Sequence, residues 1–283
     1  MAILSAAGLV ALTVAVVVLV VLALQHGDTV PASSGPRTNV ATDSPTVPAT
    51  PTDTPTTSSP TPETSGGERF LALGGAHLWR ATAGACDDEP PVVEVSADDG
   101  ETWQDVTPTD ATRVLALSSY GDIDGELVVA DTECAPTLLR TYSAGVDWSA
   151  SADLLPDATY ASPTEAGTIL VGGSTVTTPC DEPTSVRASR GTVGLICEGT
   201  AYVMGEEWTA VVDGVIALDA VGGVLVAAFE SDECSDGVEI STFEGSAATS
   251  LGCMTGVDPT LPAALSALDG EYVLWSGDEI IRL

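Results

Sequence analysis

A short apolar phrase returns along this chain at a nearly constant interval. Arg69-Phe-Leu-Ala-Leu reappears 44 residues on as Arg113-Val-Leu-Ala-Leu. Val215-Ile-Ala-Leu and Ala264-Leu-Ser-Ala-Leu continue the series, with Ala158-Thr-Tyr-Ala as a weaker member between them. A second apolar run follows each: His77-Leu-Trp-Arg, Glu126-Leu-Val-Val-Ala, Thr168-Ile-Leu-Val, Val224-Leu-Val-Ala-Ala and Glu271-Tyr-Val-Leu-Trp. The runs are short and bounded by Gly, Asp, Pro and Ser, and no long stretch carries a helical period, so they read as strands and turns. Unit starts near residues 69, 113, 159, 214 and 263 set a spacing of roughly 44–55 residues. That is the period of a four-stranded propeller blade, and a β-sandwich has no reason to keep it. The expected fold is all-β, a β-propeller of about five four-stranded blades. Six is the alternative, because the third unit carries excess residues from Ser185 to Gly199. Closure should bring residues 271–283 near the first blade, with 68–73 beside them, since a closed ring leaves no exposed sheet edge.

Composition limits the partners such a ring can have. Residues 68–283 hold 37 acids and seven arginines, and the whole chain has no lysine and a net charge of −33. A surface of that sign repels phosphate, which argues against nucleic acid and against polybasic attachment to anionic lipid. Aromatic residues are only 5% of the chain, so the core must be built from small aliphatic side chains.

Ahead of the repeats lie two segments of different character. Ala2 to Leu24 is an apolar run of 23 residues, interrupted only by Ser5 and Thr13. As a helix it would be about 34 Å long, enough for the bilayer hydrocarbon. It exceeds a signal-peptide core and lacks the basic residues that precede one. Residues 1–26 therefore read as a retained single-pass anchor in the cell membrane, with the C-terminal domain extracytoplasmic. The next 41 residues, 27–67, contain 8 Pro, 11 Thr and 6 Ser. Proline removes backbone donors and Ser and Thr supply no core, so this stretch reads as a disordered stalk, bare or O-glycosylated. The organisation expected is anchor (1–26), stalk (27–67) and propeller (68–283).

One motif sharpens the fold. Ser96-Ala-Asp-Asp-Gly-Glu-Thr-Trp103 fits the pattern Ser-x-Asp-x-Gly-x-Thr-Trp through Ser96, Asp98, Gly100, Thr102 and Trp103. Degenerate copies end at Gly145-Val-Asp-Trp148 and Gly205-Glu-Glu-Trp208. In the first, Thr141 and Ser143 stand at the Ser and Asp positions; in the second, Ala201 and Val203 do. In these residues the chain resembles the Asp-box (sialidase-like, BNR-repeat) β-propeller superfamily. The resemblance implies a structural role: the box turns the chain between the third and fourth strands of a blade, and its tryptophan packs between sheets. Gly100 suits a left-handed turn, and a short acid such as Asp98 can accept from nearby backbone donors.

The same resemblance raises glycoside hydrolysis, and the sequence departs from it there. A sialidase needs an arginine triad, a Tyr–Glu nucleophile pair and an acidic proton donor, and an Arg-Ile-Pro signature precedes its first blade. Arg69-Phe-Leu does not match that signature, and three triad arginines cannot be assigned among the seven. His77 is the sole histidine of residues 68–283, beside Leu78 and Trp79, where a packed or edge residue is the ordinary reading. No nucleophile elbow, P-loop or dinucleotide fingerprint is present. No catalytic residue and no cofactor are expected.

Six cysteines, Cys86, Cys134, Cys180, Cys197, Cys234 and Cys253, remain. An even number in an exported domain, without a Cys-x-x-Cys pair, favours disulfides over zinc. Counting alone leaves the connectivity open; proximity in sequence favours Cys180–Cys197 and Cys234–Cys253, which leaves Cys86–Cys134. Acidic loops accompany these cysteines, at Asp87, Asp88, Glu89, Asp181, Glu182, Asp232 and Glu233. They lack the spacing of a calcium loop and read as solvated surface, so no metal is expected. The function expected is a membrane-tethered, non-catalytic binding or assembly module whose ligand is an unknown protein or glycan. A sialidase-like hydrolase and a calcium-stabilised surface protein are the alternatives.

Overall fold

The computed structural model describes residues 67–86 and 89–283. The expected anchor, nearly all of the stalk, and Asp87 and Asp88 lie outside the described residues. Among the described residues no helix is long and apolar enough to cross a membrane.

The described residues form six antiparallel sheets, each a meander. Blade 1 holds β1 (Arg69–Gly74), β2 (His77–Thr82), β3 (Val92–Ser96) and β4 (Gln104–Asp105). Blade 2 holds β5 (Arg113–Ser119), β6 (Gly125–Ala130), β7 (Pro136–Thr141) and β8 (Ser149–Ala150). Blade 3 has only β9 (Thr159–Ala161), β10 (Thr168–Val171) and β11 (Ser174–Thr177). Blade 4 comprises β12 (Thr184–Ser189), β13 (Thr192–Cys197), β14 (Thr200–Met204) and β15 (Trp208–Asp213). Blade 5 comprises β16 (Val215–Val221), β17 (Val224–Phe229), β18 (Gly237–Glu244) and β19 (Ala247–Thr255). Blade 6 ends the ring with β20 (Ala263–Leu268), β21 (Glu271–Ser276) and β22 (Glu279–Arg282). The first strands β1, β5, β9, β12, β16 and β20 each neighbour the next, and β20 returns to β1. This is a six-bladed β-propeller.

Two expectations are corrected. The ring has six blades, the alternative raised by the excess residues Ser185 to Gly199, rather than five, and blades 3 and 6 have three strands rather than four. The third repeat unit is two blades: β12 starts 25 residues after β9, well short of the period read from the sequence. Blade 3 is so short because its strands have three or four residues and no fourth strand follows them. Moreover β12 reads Thr-Ser-Val-Arg-Ala-Ser, without the Leu-Ala-Leu-like phrase of β1, β5, β16 and β20.

Each interface between neighbouring blades has its own apolar cluster. Phe70, Trp79, Val93, Val114 and Leu127 fill the seam between blades 1 and 2. Leu71, Leu78, Ala264, Val273 and Trp275 fill the seam between blades 6 and 1. A middle strand such as β17 is covered on both faces, so Val, Leu and Ala run without alternation and Leu225 to Ala228 are fully buried. Outer strands show the opposite: most of β19 faces solvent, with Met254 its one buried residue.

The ring closes at the expected elements, by packing and not by a shared sheet. Blades 1 and 6 remain separate sheets. The Leu73 amide donates to Ser266 Oγ at 3.0 Å, and the Arg69 guanidinium donates to the carbonyls of Pro262 (3.1 Å) and Gly277. Arg69 also lies 4.1 Å over the Trp275 ring. Arg282 of β22 donates to the Asp99 carbonyl at 3.3 Å and pairs with its carboxylate at 3.2 Å.

The six cysteines form three disulfides, Cys86–Cys134, Cys180–Cys197 and Cys234–Cys253. The first joins loops of blades 1 and 2, the second joins blade 3 to blade 4, and the third staples blade 5 to itself.

Candidate functional site

The six first strands leave a central channel of about 390 Å³. Leu71, Ala116, Val128, Ala188, Val221 and Ala267 are among its apolar lining, with Ser118, Ser119 and Ser266 among the polar groups. Two charged residues of the lining, Arg187 and Asp219, and Glu68 just before β1 stand out, and sequence reading singled out none of them.

Blades 1 and 4 touch across the ring through Glu68 and Arg187, each bonded to the other blade's backbone. A bulge in β12 between Thr184 and Arg187 puts Ser185 at φ 49°, a left-handed conformation unusual for a residue with a Cβ. The Ser185 amide, released from the ladder, donates to Glu68 Oε1 at 2.7 Å. Arg187 donates to the carbonyls of Val186 (3.0 Å) and Arg69 (3.4 Å), and its guanidinium lies 5.0 Å from the centre of the Phe70 ring. Blades 1 and 4 face each other in a ring of six, so these contacts cross the axis at the end where β1 and β12 begin.

Asp219 sits in β16 of blade 5. Its carboxylate accepts from its neighbour's amide, Ala220, at 2.8 Å and from Ala267 of blade 6, also at 2.8 Å. Both acids are half-buried and crowded by protein, and this desolvation raises the Glu68 carboxyl above its usual range and lifts Asp219 to about 6. Arg187 lies close enough to both for its charge to oppose those shifts. Beside Asp219, the carboxylates of the lining are Glu126, which pairs with Arg140 at 2.7 Å, and Asp157.

The residues expected from sequence lie elsewhere, at turns between third and fourth strands. Ser96 and Thr102 both serve Asp98: the Ser96 hydroxyl donates to it at 2.7 Å, the Thr102 amide at 2.8 Å and the Thr102 hydroxyl at 2.5 Å. Those bonds, the Thr102 hydroxyl first, hold the Asp98 carboxyl down to about 2. The Gly100 amide donates to Ser96 Oγ at 2.8 Å, and Gly100 itself is at φ 92°. The second turn keeps this wiring with other side chains. The Gly145 amide donates to Thr141 Oγ1 at 3.0 Å and the Asp147 amide to Ser143 Oγ at 3.0 Å. At Gly145, φ 81°, a Cβ would stand 2.6 Å from Val106 of the preceding blade. The third turn has neither feature: Gly205 is not left-handed, and its amide donates to the Glu207 carbonyl at 3.2 Å.

All three tryptophans that follow these turns are half-buried and lean toward the preceding blade. The indole N–H of Trp148 donates to the Val106 carbonyl and that of Trp208 to the Thr177 carbonyl, each at 2.8 Å. Trp103 precedes a seam where the neighbour, blade 6, has no fourth strand. Its ring packs in the cluster with Trp275 and Ile280, and the Arg80 guanidinium covers it at 3.9 Å. His77 is half-buried at the start of β2, its Nδ1 buried without a partner. Among the described residues no group of three or more His, Cys, Asp or Glu is placed to hold a metal.

No family model and no curated protein match the sequence. Solved structures match in fold. One is "YCF48 bound to D1 peptide", at 14% identity and a TM-score of 0.38, with 75% of each chain covered. The Trypanosoma rangeli sialidase bound to the inhibitor DANA matches at 12% identity and a TM-score of 0.42, over 76% of this chain and 53% of that one. A xylan β-1,4-xylosidase from Bacillus halodurans matches at 12% identity and a TM-score of 0.38, over 76% and 51%. The likeness is one of architecture. No residue role passes from these proteins to this chain.

Proposed function

We propose that this chain is a membrane-tethered, extracytoplasmic propeller that works as a non-catalytic binding or assembly module. The Ser96–Trp103 turn serves in it as a structural Asp-box, as the sequence resemblance implies. The observation that carries the reading is how Arg187, Glu68 and Asp219 are engaged. Arg187 donates to two backbone carbonyls, Glu68 accepts a backbone amide, and Asp219 accepts two. These bonds hold the ring together. A glycosidase instead needs two carboxyl groups turned toward a bound sugar. An anchor at 2–24 and a Pro/Thr-rich stalk before Glu68 fit a module held away from the membrane surface.

A second reading draws on Asp219. A carboxyl lifted to about 6 in a channel is poised as a general acid, which is what the hydrolase alternative requires. One assay separates the two. Full-length protein in detergent should not turn over sialosides or aryl glycosides. Turnover that disappears in Asp219→Asn would establish the hydrolase instead. Tethering has its own test: the protein should fractionate with membranes with its N-terminus intact, and a soluble form beginning near Ser33 would overturn the anchor.

A further inference from the structure

Aromatic side chains are few here, and the fold covers most of them. Two tyrosines are exceptions. Tyr120, in the β5–β6 loop, is 47% exposed, and Tyr142, just after β7, is 61% exposed. Their rings meet edge to face at 6.4 Å, and Ile123 of the same loop is 43% exposed. Backbone bonds fix the patch: the Ala144 amide donates to the Ile123 carbonyl at 2.9 Å. Ser119 Oγ donates to the carbonyls of Gly121 (3.2 Å) and Asp124 (3.0 Å). Ser118 and Ser119 line the channel, so the patch stands at its rim, at the end opposite Glu68.

Its charge is as distinctive as its rings. Arg140 lies 5.2 Å from the centre of the Tyr120 ring and is already paired with Glu126. Asp122 and Asp124 share the loop, so three acids face one arginine for a net charge of −2. Burial and the Tyr142 hydroxyl push the Tyr120 phenol up to about 12, so that ring stays neutral at physiological pH.

We propose that Tyr120, Ile123 and Tyr142 form the docking surface for a partner polypeptide, engaged through an extended segment that carries arginine or lysine. The proposal rests on the binding-module reading and gives it a partner class. Exposed tyrosines set side by side offer a large, stiff contact area, which is how interfaces use them. The electron-rich ring face attracts a guanidinium or ammonium, as Arg140 already shows on Tyr120. Tyr142 presents a second ring to an incoming cation, with Asp122 and Asp124 in the same surface to pair with it. A chain of net charge −33 steers basic partners inward and repels acidic ones.

The test titrates full-length protein in detergent, near physiological ionic strength, with a Gly/Ser peptide bearing several arginines and with its uncharged citrulline analogue. The arginine peptide should bind and the analogue should not. Tyr120→Ala with Tyr142→Ala should weaken binding about tenfold, and Asp122→Asn, at an exposed position, about threefold. Asp232→Asn with Asp236→Asn removes charge from blade 5 and should change affinity less than about twofold. Absent binding, equal loss in all variants, or equal binding of the analogue would overturn the proposal. So would a xylo- or sialo-oligosaccharide that binds and is lost with Tyr142→Ala, since the patch would then be a glycan site. None of these results bears on the binding-module reading itself, which the turnover assay decides.

Discussion

Glu68 takes a hydrogen bond from the amide of Ser185, 2.7 Å away on the opposite side of the ring. One residue precedes the first strand of blade 1 and the other sits at the bulge of blade 4, 117 positions later. Such a bond is available only after all the intervening blades have closed.

The first prediction follows from that bond. Glu68→Gln keeps an acceptor for the Ser185 amide and, at about pH 4, should leave stability nearly unchanged. Glu68→Ala leaves the amide unpaired in the channel and should cost about 1–3 kcal/mol in urea unfolding. If the two variants melt together, the bond across the axis contributes nothing.

A second prediction concerns pH, where two acids act with opposite sign. Asp219 is raised from 3.8 to about 6, so its contribution is full below about 4 and is lost as pH rises through 6. A shift of about two units corresponds to roughly 3 kcal/mol. Asp219→Asn should remove that part of the fall in stability between pH 4 and 7, and Glu68→Gln should act in the same direction. Asp98 is lowered to about 2, so its contribution is present above 3.8 and is lost as pH falls toward 2. Thr102→Val removes the hydroxyl that binds it most strongly, and the Asp98 titration midpoint followed by NMR should move up.

Tryptophan burial supports a third. Trp79 is fully buried between blades 1 and 2, 6.2 Å from Trp148 in an edge-to-face pair, and its indole nitrogen has no partner. Trp79→Ala should cost about 3–5 kcal/mol, whereas Trp79→Phe should cost far less because it also removes an unpaired N–H. The half-buried Trp103 should cost only about 2 kcal/mol on truncation, its ring area and the Arg80 contact together. Equal losses at positions 79 and 103 would contradict these placements.

The features that sequence made legible are those that repeat. The Leu-Ala-Leu phrase located the inner strands of four blades, because every first strand must bury the same face against its neighbours. It missed β12, whose Arg187 breaks the phrase in order to bond across the channel. The pairing of Cys180 with Cys197 and of Cys234 with Cys253 was readable from proximity, and Cys86–Cys134 by remainder. The channel cluster was hidden because Glu68, Arg187 and Asp219 converge from three distant parts of the chain, and only ring closure brings them together. A signal did exist at Asp219, a lone acid inside the apolar run from Val215 to Val221. Tyr120 and Tyr142 gave none, since exposure is not written in a composition.

The last prediction contrasts the disulfides with the acidic loops around them. Cys180–Cys197 and Cys234–Cys253 close loops with sequence separations of 17 and 19, and Cys86–Cys134 one of 48. On a chain-entropy account each is worth about 3–4 kcal/mol, with the longest loop contributing most. Cys86–Cys134 also crosses from blade 1 to blade 2, so losing it should loosen that seam as well as the unfolded-state constraint. Cys86→Ser with Cys134→Ser should therefore lower the melting temperature more than Cys234→Ser with Cys253→Ser, whose bridge stays inside blade 5. Chelation with EDTA should leave the melting temperature of the parent protein unchanged, because scattered surface acids bind a divalent ion only weakly. A large upward shift with calcium would instead make the loops near Cys86, Cys180 and Cys234 a metal site. Equal losses from the two cysteine pairs would contradict both the longer loop and the added hold between blades.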